Sequence, residues 1–302
     1  MKVAVFVPTF RRPHLLKKVL ESLQRQSCSD FPIIISDNDS EQAEGLAVAS
    51  AWAEALGITH RVHLTIARER GLTQNRNHAL KLAFSEIGVD AVAMIDDDSE
   101  AHPEWVEKLK LGCGSGAELV GGPTIYRLSG NVSPDVRASS LFGVPYTTTG
   151  YVPRLRSSNN CVISRTVYER LGGRVFDPDF GATGGGDTFL FIGQKKQGTR
   201  TWWQNDAIVY EDVPDERATS EWVAYRQRTN AVNAARIDRR LSGPVIAWPR
   251  QAYLAMRDAA NGCGAVVRGD EKSIVSLNFE SAKGRFLGLF GFLSLHDTSK
   301  RS

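Results

Sequence analysis

One stretch narrows the possible folds more than any other: residues 89–103, which read VDAVAMIDDDSEAHP. Ala91 to Ile95 form a short continuous apolar run, as expected of a strand buried on both faces. The run leads straight into Asp96, Asp97 and Asp98. Adjacent carboxylates repel one another, so three together require positive charge nearby. In open α/β sheets, ligands bind at the carboxyl ends of the strands. Two readings stand side by side. A divalent cation carrying phosphate oxygens would supply the charge, since hard oxygen donors suit Mg²⁺ or Mn²⁺. Alternatively the acids form a solvated turn, with Ser99 or Asp98 capping a helix that starts near Pro103.

The rest of the first half alternates strand and helix patterns. Residues 2–7 are an apolar strand ended by Pro8 and Thr9. Residues 13–26 follow with a helical period through Leu16, Val19, Leu20 and Leu23, and Pro13 in the first turn. A second strand, 31–35, ends in Ser36-Asp37-Asn38-Asp39. A second helical pattern, 41–56, is closed by Gly57, and a third strand spans 62–66. Gly71-Leu72-Thr73 opens a helix to about residue 87, with Thr73 as N-cap and Gly88 as stop. The strand at 91–95 completes a β-α-β-α-β-α-β series, which implies a parallel sheet with right-handed crossovers.

All strands of a parallel sheet point one way. The polar clusters after the first, second and fourth strands therefore share one edge, as a nucleotide-binding crevice requires. Each cluster alone reads equally well as turn chemistry. Neither GxGxxG nor GxxxxGK[ST] follows the first strand, which disfavours a dinucleotide site and a P-loop. Arg76, just inside the third helix, either reaches the crevice to meet a base or phosphate or faces solvent.

Beyond residue 120 the pattern loosens. Residues 128–158 are rich in Ser, Gly, Pro and Thr and read as a long loop or lid. A short strand, 159–164, begins with the amides Asn159 and Asn160. Then 181–188, GATGGGDT, places Asp187 among glycines at the start of a helix to about residue 196, as general base or as N-cap. Trp202, Trp203 and a strand at 207–210 close the α/β part. Residues 217–257 are helical in pattern and rich in arginine, a solvated basic face or a contact for pyrophosphate or anionic lipid. The stretch 284–295, GRFLGLFGFLSL, is too short to span a bilayer. It is read as packing on the body, with a dip into a membrane interface as the alternative.

The 302 residues are 42% hydrophobic and 24% charged, enough apolar material for one large core or two smaller ones. A net charge of +3 is too small to make nucleic acid the main partner. The four cysteines are widely spaced with no CxxC pair, which fits free thiols rather than a zinc site. The amino terminus, MKVAVFVPTF, reads as a first strand and not as a signal peptide. A cytoplasmic protein is expected, or one peripheral to the inner membrane on its cytosolic side.

Together these segments resemble the family 2 glycosyltransferases of GT-A fold, among them the bacterial exopolysaccharide-type enzymes. The matching stretches are VPTFRR, IIISDNDS, GLTQNRNHAL, IDDDSEAHPEW, SNNCVISR, FDPDFGATGGGDTFLF, VYEDVPDERAT and YRQRTN. The resemblance implies a Rossmann-like, mostly parallel sheet flanked by helices. It implies a catalytic domain over 1–215, with a nucleotide-sugar half (1–122) and an acceptor half (123–215), and a helical extension over 216–302. Pro8, Thr9, Arg11, Asp37, Asn38 and Arg76 would surround the nucleobase and ribose of a nucleoside-diphosphate sugar, most often UDP. Asp96 and Asp97 would contact the nucleotide, and Asp98 would hold Mn²⁺ or Mg²⁺. Asp187 would be the catalytic base of an inverting transfer. Asn160, Trp203, Arg226 and Arg228 are candidates for the diphosphate or the acceptor, a saccharide or lipid-linked saccharide. Relatives commonly carry Glu where this chain has Gly186. A nucleotidyltransferase would also use a metal at an α/β crevice, but VPTFRRP lacks its glycine-rich loop. A catalytically silent nucleotide-sugar binder is the third reading.

Overall fold

The structure, a computed structural model, describes residues 1–128, 130, 132–181, 183–269 and 271–291. In chain order the elements are β1 (Val3–Thr9), α1 (Pro13–Gln24), β2 (Ile33–Asp37), α2 (Glu44–Ala55), β3 (Val62–Ile66), α3 (Leu72–Lys81) and β4 (Ala91–Ile95). β5 (Ser99–Ala101), α4 (Trp105–Gly114), β6 (Leu119–Gly121), β7 (Thr124–Leu128), α5 (Pro134–Arg137), β8 (Gly150–Tyr151) and β9 (Asn160–Ser164) follow. The chain continues through α6 (Arg165–Arg170), α7 (Gly186–Lys196), β10 (Thr201–Trp203) and β11 (Val209–Val213). It closes with three long helices, α8 (Ser220–Ser242), α9 (Pro244–Arg268) and α10 (Lys272–Leu289).

Among the described residues the strands form two sheets. The larger runs β3-β2-β1-β4-β9-β6-β10-β8, and β5-β11-β7 form a smaller one. β3, β2, β1 and β4 are parallel, as the alternation predicts. β1, β2 and β4 are buried at every position, because helices cover both faces of the sheet. One face packs against α1, α2 and Trp105 of α4; the other packs against Leu80, Phe84, Phe176 and Phe191.

Beyond the four parallel strands, non-local contacts set several elements. β9 enters between β4 and β6 and is antiparallel to both, so the sheet is mixed. Its reversed direction sets Asn160 beside Ile95 and carries the Asn159-Asn160 pair to the edge where the parallel strands end. The turn after β4 does not cap a helix: Ser99 belongs to β5, which pairs with β11, and Glu104 precedes α4. Thr73 likewise lies inside α3, which starts after Gly71 and widens into a π-type turn over Leu82–Ile87 before Gly88. The strand expected at 207–210 is shifted to β11.

The helical run expected over 217–257 is broken at Gly243, whose φ of 76° ends α8 and sends α9 back along it. α10 returns against both. A Cβ at Gly284 would lie 2.3 Å from the Arg228 carbonyl, and one at Gly288 would lie 2.6 Å from that of Val232. Two glycines one turn apart thus let the backbones of α10 and α8 touch, so residues 284–291 pack on the body as expected. Residues 292–295 of that stretch lie outside the described residues. The expected boundary at 215/216 falls between β11 and α8, and the cavity described next takes its lining from both sides of it.

Candidate active site

The strand order reverses between β1 and β4, and the crevice opens where both end. There a cavity of about 1720 Å³ is lined by Pro8, Thr9, Asn38, Arg76 and the three aspartates 96–98, together with Asp187 and Glu211. Asn160, Trp203 and Arg226 also line it.

Arg76 ties Asp96 to Asp187. Its side chain is only 6% exposed, so the solvent-facing reading is wrong. Nη2 donates to Asp96 Oδ1 at 3.1 Å and Nη1 donates to Asp187 Oδ1 at 3.0 Å. The second oxygen of Asp187 accepts the Ser158 backbone N–H at 3.1 Å. Asp187 is therefore not an N-cap. The cap position belongs to Gly185, which with Gly184 adopts positive φ and lets the chain turn sharply into α7. Asn233 of α8 closes over this turn by donating to the Thr183 carbonyl. Gly186, where the resemblance leads one to expect Glu, has ordinary contact distances for a Cβ, 3.7 Å to Phe180 and 3.9 Å to Thr73. No close approach demands glycine at that position.

The neighbouring aspartates are less well satisfied. Asp97 accepts from the Thr9 hydroxyl at 3.0 Å, and Arg12 Nη1 stands 3.6 Å from Asp97 and 3.4 Å from Asp98. Burial, then the charge of Asp98, pushes the Asp97 carboxyl up to about 7. Burial raises Asp96 too, in spite of Arg76. Glu211 of β11, which pairs with Ser99 next to Asp98, accepts from Asn159 Nδ2 at 2.8 Å. Burial, then the charges of Asp98 and Asp96, pushes Glu211 up to about 8. Carboxyls raised this far lack compensating positive charge.

Whether these residues fit a divalent cation can be judged from their donors. Among the described residues no group of three or more His, Cys, Asp or Glu forms a ready-made metal cage. What converges is a set of hard carboxylate oxygens whose charge Arg12 and Arg76 only partly balance. That fits an ion of the Mg²⁺ or Mn²⁺ kind, which takes one or two carboxylates and completes its shell with substrate phosphates.

Three expected contacts are corrected. Asp37 is fully buried beneath the crevice, where its two oxygens accept the N–H groups of Asp39 and Gly45 at 2.9 and 3.0 Å. It shapes the β2 turn and does not line the cavity. Arg11 has φ of 52°, which swings it outward onto Asp39 and Glu41; Arg12 takes the place facing the acids. Arg228 pairs with Glu280 of α10 at 3.1 Å, while Arg226, two residues earlier and so on the other side of α8, lines the cavity with its guanidinium 5.7 Å from the Trp222 ring. Two further residues are present but already engaged. The Asn38 amide donates to the carbonyls of Ala67 and Glu69 and accepts the Gly71 N–H, pinning the loop before α3. Asn160 accepts from Trp105 Nε1 and donates to the carbonyls of Pro123 and Ala207, bracing the cavity wall.

The sequence reading missed Arg12, Glu211 and an aromatic wall of Tyr126, Phe142 and Trp222. Phe142 stacks on Trp222 with centroids 6.0 Å apart, and Tyr126 meets Phe142 edge-on at 5.6 Å. Arg12 and Glu211 stand inside motifs that were singled out, VPTFRR and VYEDVPDERAT. Phe142 lies in the irregular stretch 128–158, where no period marks it.

Comparison with known proteins follows the same lines. The family described as Glycosyl transferase family 2 matches residues 4–170. The succinoglycan biosynthesis protein ExoM of Rhizobium meliloti (strain 1021) is 26% identical over 232 residues, 75% of this chain and 72% of ExoM. The GalNAc(5)-diNAcBac-PP-undecaprenol beta-1,3-glucosyltransferase of Campylobacter jejuni is 29% identical over 140 residues, 46% of this chain and 43% of that protein. Among solved structures, the mannosyltransferase PcManGT from Pyrobaculum calidifontis, in complex with GDP-Man and Mn²⁺, superposes with a TM-score of 0.60. It is 16% identical, over 96% of this chain and 87% of its own. S. aureus TarS 1–349 in complex with UDP gives 0.54 at 14% identity, over 95% and 91% of the two chains. At such identities these likenesses speak for the fold, which is GT-A. With the family match spanning more than half of its length, the chain belongs to glycosyl transferase family 2.

Proposed function

We propose that this glycosyltransferase moves a sugar from a nucleoside-diphosphate donor, a UDP-sugar, to a hydroxyl of a saccharide or lipid-linked saccharide. The transfer inverts the anomeric carbon and serves exopolysaccharide or other cell-surface glycan synthesis. The observation that carries this reading is the Arg76 bridge, which joins the acids after β4 to Asp187 within one cavity. The relatives support the rest. ExoM is named for succinoglycan biosynthesis, the Campylobacter enzyme for a lipid-linked acceptor, and two solved neighbours hold a nucleotide sugar or UDP. The four free cysteines favour a cytoplasmic setting.

In this scheme Pro8, Thr9 and Asn38 border the nucleoside, and Arg226 reaches toward the diphosphate. Asp98, with Glu211 facing it, would hold Mg²⁺ or Mn²⁺, which when bound offsets the charge that builds on the departing diphosphate. Asp187 takes the proton of the acceptor hydroxyl as its oxygen attacks the anomeric carbon. A carbon–oxygen bond forms on one face of the sugar, the bond to the phosphate oxygen breaks on the other, and the electron pair leaves with UDP. An α-linked donor thus gives a β-linked product. Arg76 and the Ser158 N–H each hold one oxygen of Asp187, fixing its direction while leaving lone pairs free for the proton. No second acid is required, because a diphosphate leaves without one.

Incubation with Mn²⁺ and a panel of nucleotide sugars, monitored for free UDP, tests the proposal. Slow hydrolysis of one donor is expected. Pyrophosphate release from UTP and a sugar phosphate would instead identify a nucleotidyltransferase, and tight binding with neither would identify a silent binder.

A further inference from the structure

The helical hairpin α9–α10 carries an apolar surface that the reaction does not use. Along α9 the side chains turned to solvent include Val245, Pro249, Tyr253, Met256, Ala260 and Val267. At 100° per residue these fall on one face of the helix, a stripe that runs its whole length of about 37 Å. The large residues on it are far from marginal: Val245 is 86% exposed, Tyr253 62%, Met256 65% and Val267 87%. In the first 243 residues, exposed large apolar side chains such as Leu56, Leu111 and Tyr151 are scattered over separate elements. Here they are contiguous, and α10 extends the patch. Phe279 lies against Gly262 and Phe290 packs edge-on against Trp248, so exposed Phe279, Phe286 and Phe290 form a second row beside the first. Contiguous apolar surface of this kind marks an interaction site.

The charges around the stripe indicate what covers it. Arg250, Arg257 and Arg268 are exposed and follow one another along a single margin, at seven- and eleven-residue steps that keep them on one line of the helix. Arg250 and Arg257 are anchored to Asp238 and Asp258, yet about half of each side chain still faces solvent. Lys283 stands exposed within the phenylalanine row. The described exposed residues of α9 include no acid. A second copy meeting this face in antiparallel fashion would set one arginine row beside the other with no carboxylate row to match. An anionic lipid surface complements both parts, since apolar side chains enter the acyl boundary while arginines reach the headgroups. The stripe runs along the side of α9, so the contact is parallel to the surface.

We infer that α9, with the outer edge of α10, is a membrane-docking face that lies flat on an anionic bilayer. The sequence offered membrane contact at 284–295 only as the alternative to packing; there Gly284 and Gly288 turn inward onto α8, and the outward Phe286 and Phe290 join the docking face. The inference is independent of the sugar, the acceptor and the chemistry at Asp187.

Flotation of the full chain with vesicles provides the test. Wild type is expected to float with phosphatidylcholine–phosphatidylglycerol vesicles, at least ~10-fold more than with phosphatidylcholine alone, and to be released by high salt. The Tyr253→Glu/Met256→Glu variant is expected to lose that binding at least ~10-fold with its melting temperature and UDP affinity unchanged. Val245→Glu/Val267→Glu, at the two ends of the stripe, is expected to do the same. Failure of wild type to float, or flotation of both double variants at the wild-type level, would overturn the proposal. A dimer in light scattering that these variants split, without vesicle binding, would also overturn it and assign the face to a second copy.

Discussion

Two sets of buried acids in this molecule behave in opposite ways. In the cavity, burial and mutual repulsion drive Asp97 up to about 7 and Glu211 up to about 8. In the helical hairpin, burial also works to raise Asp258, but hydrogen bonds from Arg285, Arg257 and Ser281 outweigh it and the carboxyl ends below its ordinary value. Asp258 has a full complement of donors and contributes to folding. The cavity acids have Thr9, Arg12, Asn159 and Arg76 between them, too few to balance the charge, and their deficit is what a cation with a diphosphate would fill. Depth of burial does not separate a structural carboxylate from a functional one; the supply of donors does.

Mutations at the two places should separate accordingly. The largest effect is expected for Asp187→Asn, with turnover falling about 10²- to 10⁴-fold while donor affinity, measured by calorimetry, stays within a few fold. Transfer near the wild-type rate would remove Asp187 from the role of base. Asp98→Ala should weaken Mn²⁺-dependent UDP binding on the order of 10- to 100-fold without lowering the melting temperature. Asp258→Ala should do the reverse: about 3 kcal/mol of stability lost in urea denaturation, because Arg285 loses the carboxylate that balances its charge, and UDP affinity retained. If Asp258→Ala weakened UDP binding as much as Asp98→Ala does, the distinction between the two regions would fail.

The smallest effect is a pH dependence of opposite sign in the two regions. A carboxyl whose folded pKa is raised holds its proton longer in the folded state than in the unfolded one. The stability it contributes is present at low pH and is lost as pH rises through its folded value. Metal-free protein should therefore melt at lower temperature as pH rises from the ordinary carboxylate range towards about 8, the value of Glu211. Mn²⁺ with UDP should flatten that slope, and so should Glu211→Gln. Asp258 is lowered, so its contribution persists above the unfolded carboxylate pKa and is lost only as pH falls through its own.

What the sequence disclosed follows the range of the interactions involved. β3 and β4 lie at the expected residues, because the alternation VHLTI and the continuous apolar run AVAMI are both local strand signals. Gly88 ends its helix as read, because a left-handed residue is a local property. The sheet is mostly parallel as read, but the reversed direction of β9 was illegible, since its pairing with β4 depends on residues far apart in the chain. Ser99 was misread for the same reason, its strand existing only through β11. The choice between Arg11 and Arg12 turned on one backbone dihedral, and that between Arg226 and Arg228 on where α10 packs. Asp187 was legible as a carboxylate among glycines, but its link to Asp96 through Arg76 appears only once α3, β4 and α7 are assembled.

The most direct test is calorimetric titration of UDP into the wild-type protein, once with Mn²⁺ and once with a chelator. A deficit of positive charge beside Asp98 and Glu211 predicts binding at least ~10-fold tighter with the metal, with the gain abolished in Asp98→Ala. Equal affinity in the two titrations would contradict the account, leaving those acids as a buried cluster with no cation to complete it.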